Sequence, residues 1–204
     1  MSKAGVVLIV LPTLAFALGI AAACAGSTAP DEAPPTTSSR LETFDASGEA
    51  YLAAALRELA ARMPSVSEST TLRRRIADAT FCLPQNIVGI LYYAFLQLTG
   101  NILDVAVAAE GKIIVTKTPF GASLGRYIFV SEPLLCESAL RHEYGHVLQG
   151  YKRGPFYLLS EGAASFAQAT LSLAFPSFAR GYFNRWPENE AERLGATAWP
   201  PSRR

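Results

Sequence analysis

The sequence predicts an α+β domain, mostly helical, with a small sheet of about three strands preceding one central helix. Three observations carry this. Apolar residues recur at helical spacing over several long stretches. A short stretch between residues 104 and 130 alternates and is punctuated by glycines, as strands are. Half of the 204 residues are apolar while net charge is only +1, which supplies a core and argues against disorder. No basic block exists beyond Arg73-Arg74-Arg75, so nucleic acid is excluded as a partner.

Residues 1–24 begin with Lys3, continue through the apolar run Ala4–Ala23 and end in small residues. That layout predicts a signal peptide or a membrane anchor, and hence export. Ala21-Ala22-Ala23-Cys24 resembles a bacterial lipoprotein cleavage box, which would make Cys24 the lipidation site. An uncleaved anchor and an ordinary signal peptide are the alternatives. Residues 25–40, in which Ser27–Ser39 consists of Ser, Thr, Pro, Ala and acids, read as a flexible linker. The folded domain is expected over 41–204. In an oxidising compartment Cys82 and Cys136 could form a disulfide, or remain two unlinked thiols.

Within the domain, Asp45–Met63 is an amphipathic helix with Tyr51, Leu52, Ala55, Leu56 and Leu59 on one face, ended by Pro64. A more polar helix covers Glu68–Ala79. Asn86–Leu98, closed by Gly100, is too short to span a bilayer and reads as a buried core helix. The alternative is an interfacial helix lying on the membrane beside the anchor. Asp104–Glu110 and Ile113–Thr118 form a hairpin around a Glu-Gly-Lys turn. Tyr127–Val130, introduced by Gly121 and Gly125, is the third strand.

The central helix carries Arg141-His142-Glu143-Tyr144-Gly145-His146. Ser131 and Pro133 suit its start and Gly150 its end. Residues four apart lie one above the other on a helix, so His142 and His146 can reach one tetrahedral ion. Glu143 stands beside them as a general base, and this spacing is the H-E-x-x-H zinc motif. The chain has only two histidines, so any third ligand is another residue type. Downstream there is no Asp, and the only acids are Glu161, Glu188, Glu190 and Glu192. Glu188 and Glu192 share one face of a helix opened by Pro187 and closed by Gly195.

The segment from Glu188 to Glu192 resembles the E-x-x-A-D helix of gluzincin peptidases, which include the CaaX-prenyl-protease-like membrane metalloproteases. That resemblance implies Glu188 as the third zinc ligand and Glu192 as the acid that steadies a ligand histidine. Glu161, in Glu161-Gly162-Ala163-Ala164-Ser165-Phe166, resembles the segment that supplies the third ligand in some aminopeptidase-like zinc enzymes, and is the alternative. Residues 84–195 taken together resemble small bacterial H-E-x-x-H proteins. The resemblance implies a minimal zincin-like fold, one Zn²⁺ and a metallopeptidase anchored in the bacterial cell envelope on the periplasmic side. It implies a peptide or protein substrate paired with Tyr127–Val130 as an edge strand. An oxyanion donor is also needed, and Tyr151, Tyr157 and Tyr182 are candidates. The competing expectation is a catalytically inactive, zinc-stabilised envelope lipoprotein that serves as a binding or structural module.

Overall fold

The computed structural model describes residues 46–64, 68–108, 111–118 and 120–199. The expected signal or anchor over 1–24, the lipidation site Cys24 and the linker over 25–40 lie outside the described residues. What is described is an α+β fold in which a four-stranded sheet carries helices on both faces.

Helix α1 (Ala46–Arg62) buries Leu52 and Leu56 against the sheet. Tyr51, expected on the same face, is 73 % exposed. Adjacent residues differ by about 100° around a helix, and the contact admits only the narrower stripe. Helix α2 (Glu68–Ala79) leads into α3 (Leu83–Leu98), which starts earlier than expected. Pro84 sits in the first turn, where its missing N–H costs nothing. One face of α3, including Tyr92 and Leu96, packs on the sheet, while Ile87, Ile90 and Leu91 face outward. The core-helix expectation therefore holds for one face only.

The strands are β1 (Ile102–Ala108), β2 (Gly111–Thr116), β3 (Ala122–Leu124) and β4 (Tyr127–Ser131), in the order β1-β2-β4-β3. β1 and β2 are antiparallel, β2 and β4 parallel, and β4 and β3 antiparallel. Gly111 and Lys112, expected in a turn, are instead strand residues opposite Ala108 and Val107. Strand β3 was not expected from the sequence. Gly125, at φ +63°, and Arg126 turn the chain so that residues 122–124 pair with 127–129. Consequently Tyr127–Val130 is an interior strand, not the edge: β3 covers it. Alternation along β2 and β4 sends Ile113, Val115, Ile128 and Val130 toward α1 and the central helix, and Ile114 and Phe129 toward α3.

The central helix α4 (Glu137–Arg153) begins later than Ser131, after a 3₁₀ turn at Glu132–Leu134, and runs past Gly150 to Gly154 at φ +61°. A π-helical turn (Leu158–Gly162) then leads to α5 (Ala163–Ala174), the short α6 (Pro176–Ala179) and α7 (Glu188–Ala198). Helix α7 lies directly on α4. A Cβ at Gly145 would fall 1.9 Å from the Ala191 carbonyl oxygen, and one at Gly195 would fall 2.0 Å from that of Arg141. Gly195, expected to end α7, is an interior contact point instead.

The disulfide expectation is overturned: Cys82 and Cys136 are free. Cys82 is buried with its Sγ 3.6 Å from the Gly150 carbonyl oxygen, near the C-terminal end of α4. Cys136 precedes the first residue of the same helix. At about 1.5 Å per residue, Cys136 and Gly150 stand about 21 Å apart, whereas a disulfide needs Cα atoms within about 7 Å.

Candidate metal centre

Two helices build the site. His142 and His146 project one turn apart from α4, and Glu188 stands on the first turn of α7 facing them. Glu188 Oε2 lies 3.1 Å from His142 Nε2 and 3.2 Å from His146 Nε2. The three ligand atoms all lie within 4.8 Å of one another. Bonds of about 2.0–2.1 Å to a tetrahedral ion would hold neighbouring ligand atoms about 3.3 Å apart, so the observed N···O separations fit a shared cation. The second oxygen adds to this. Among the described residues, Glu188 Oε1 is buried with no hydrogen-bond partner, a costly condition that a cation relieves.

The outer nitrogens of both rings are fixed. His142 Nδ1 donates to Glu192 Oε2 at 3.3 Å, and Glu192 Oε1 is gripped by Arg141 at 2.8 Å. His146 Nδ1 donates to Gln149 Oε1 at 2.8 Å. Gln149 is oriented in turn, because its amide nitrogen donates to the Pro187 carbonyl at 2.9 Å. With Nδ1 of each ring committed, Nε2 is the nitrogen left for a metal, the usual arrangement around a ligand histidine.

Charge follows from these contacts. Burial opposes a charged His142, yet its bonds to Glu188 and Glu192 and the nearby Glu143 outweigh burial and push it up to about 10. His146 is raised on the same balance, chiefly by Glu188. For Glu188 burial favours the neutral acid, but the two imidazoles hold it well below the usual carboxylate range. The pocket is built to keep a carboxylate ionised beside two nitrogen donors.

Glu143 differs. Its carboxyl is raised by burial, which outweighs both imidazoles. Ser123 on β3 fixes its position, with Oγ 2.8 Å from both Glu143 Oε2 and the Glu143 backbone oxygen. Gly121 makes room for it, since a Cβ there would lie 2.5 Å from Glu143 Oε1. The group opens on a cavity of about 460 Å³ whose walls include Val130, Leu134, Phe183, Tyr157 and Tyr182. Burial keeps both tyrosine hydroxyls protonated at neutral pH.

Several candidates fall elsewhere. Glu161 is fully buried, but its carboxylate is taken by Arg153 and the Ser160 hydroxyl, so it is not the third member of the group. Glu190 pairs with Lys152 and meets Gln149 on α4, away from the two imidazole Nε2 atoms. Tyr151 does not line the cavity, because its hydroxyl donates to Asp78 at 2.9 Å. Ser123, Gly121, Arg141 and Gln149 were not singled out by the sequence. Gln149 alone carried a signal, lying three residues after His146 and thus beside it on the helix.

Comparison with models of known families, with curated protein sequences and with solved structures finds no match. The site therefore rests on its own geometry, and that geometry brings His142, His146 and Glu188 into a group that could hold one metal ion.

Proposed function

We propose that this protein is a zinc-dependent metallopeptidase of the exported cell envelope, acting on peptide or protein substrates. The observation that carries the reading is the convergence of two imidazoles and Glu188 beside a separate carboxylate, Glu143, on an open cavity. Two neutral imidazoles and one carboxylate suit Zn²⁺, with a coordination position left for water or substrate. When bound there, zinc would lower the pKa of water to about 7 and polarise a carbonyl.

The chain's own residues supply the rest. Glu143, held by Ser123, accepts a proton from the attacking water and passes it to the departing amine. Glu192 and Gln149 keep the two imidazoles turned toward the cavity. Tyr157 and Tyr182 offer hydroxyl donors to the oxyanion that develops on the substrate carbonyl. Strand β3 lies against the catalytic helix through Ser123, and Ala122 and Ser123 line the cavity that would receive the substrate.

Glu143→Gln tests the reading. The variant is expected to bind zinc one-to-one like the parent and to lose cleavage of a quenched-fluorescence peptide library. A parent protein that binds zinc but shows no hydrolysis removable by this change would sink the peptidase reading in favour of a metal-stabilised structural module.

A further inference from the structure

Helix α3 has no charged residue in Leu83–Leu98. Its inner face is occupied by the sheet, yet its outer face is equally apolar. Leu83, Ile87, Ile90, Leu91 and Leu98 recur at helical spacing and all stand in solvent, Leu91 at 58 % and Leu98 at 87 % exposure. The patch extends beyond the helix. Phe81 packs against Gly154, and both Phe81 and the neighbouring Phe156 are exposed. Exposed apolar side chains gathered along one helix face mark a docking face rather than scattered exposure.

Its surroundings identify the partner's chemistry. Residues 72–98 contain three arginines and one aspartate. Arg73 and Arg75 are exposed on α2, and the aspartate, Asp78, is largely buried beside Arg126. Lys112 Nζ, on β2, lies 5.2 Å from the centre of the Tyr93 ring on α3. Leu72–Ala79, which carries these arginines, leads into α3 at 78°, so the exposed cations stand on the element next to the start of the apolar stripe. An uncharged apolar stripe with cations at its margin is the composition of a helix that lies in the membrane interface. A second copy of the chain would instead set the basic margin against itself across a two-fold contact. The sequence supplies a reason for proximity to lipid, since Ala4–Ala23 is an apolar run long enough to span a bilayer.

We propose that this face docks on an anionic lipid bilayer, with α3 lying along the boundary between headgroups and acyl chains and Arg73 and Arg75 on lipid phosphates. The claim is independent of the metal centre.

The test uses the full chain with a photoreactive benzophenone amino acid replacing Leu91, and in a separate variant replacing Tyr51, which is exposed on α1 across the sheet. Each is irradiated on vesicles of phosphatidylglycerol and phosphatidylethanolamine, and the adducts are identified by mass spectrometry. Lipid adducts at position 91 are expected at least ten-fold above those at 51. They should fall several-fold on phosphatidylcholine vesicles or when Arg73 and Arg75 are changed to Glu. Adducts to a second copy, to residues 1–45 of the same chain, or to nothing would each overturn the docking face. A lipid yield that ignores headgroup charge would overturn the role of the two arginines.

Discussion

Gly145→Ala tests whether helix packing sets the metal geometry. In a helix interior this change, taken alone, gains about 1 kcal/mol of stability. Here the added Cβ would fall 1.9 Å from the Ala191 carbonyl oxygen, whereas contacts under 3.0 Å essentially never occur. The obstacle is backbone, so no side chain can turn aside. Helix α7 would have to withdraw from α4 by about 1 Å, an overpacking strain that costs about 1–3 kcal/mol. For a domain of this size that lowers Tm by about 3–10 °C. Glu188 precedes Ala191 by one helical turn and moves with it, away from imidazole nitrogens now 3.1 and 3.2 Å distant. Zinc affinity should fall at least as far as when an outer partner is lost, about 10–100-fold. Competition against a chromophoric chelator gives the affinity, and thermal melts of metal-free protein give the strain. A variant with raised Tm and unchanged affinity would refute the reasoning.

Gly121→Ala should do the opposite. The crowded atom is the end of the Glu143 side chain, so the fold and zinc affinity are kept. The base is displaced, and peptide hydrolysis should drop about 100-fold; loss of zinc binding instead would contradict this. Gln149→Leu and Glu192→Ala each free one ring's Nδ1 and should weaken zinc by about 10–100-fold, measured by the same competition, whereas Glu161→Gln should leave affinity unchanged. In metal-free protein the raised pKa of His142 favours the folded state fully below about 6.5, and that contribution is lost as pH rises toward about 10. Melts should therefore show Tm falling from pH 6.5 to 9 without metal. With zinc the trend reverses at the acidic end, because protons compete for the same nitrogens; a flat metal-free profile would count against the ring contacts described.

The sequence made the local chemistry legible, because helical spacing alone puts His142, Glu143 and His146 on one turn and Glu188 with Glu192 on another. Choosing between Glu188 and Glu161 from the residues was harder. Both are buried acids, and the outcome depends on where the end of α4 delivers Arg153, which neutralises Glu161. Gly195 reads as a helix stop in the sequence for a related reason: a glycine that ends a helix and one that admits a second helix look alike in one dimension. Strand β3 escaped notice because three residues carry too little alternation to register. Its consequences were large, since it supplies Ser123 and takes the sheet edge from β4. Cys82 and Cys136 looked like a pair only because parity says nothing about the length of helix between their positions.

The metal group draws its histidines from one helix and its carboxylate from another that follows them by more than forty residues. Until α7 has docked, the chain offers only two nitrogens at this position, with Glu143 beside an incomplete centre. On the proposed reading, acquisition of an ion and completion of the C-terminal packing become one event. For the proposed exported hydrolase, this arrangement would delay cleaving power until the last helix is in place.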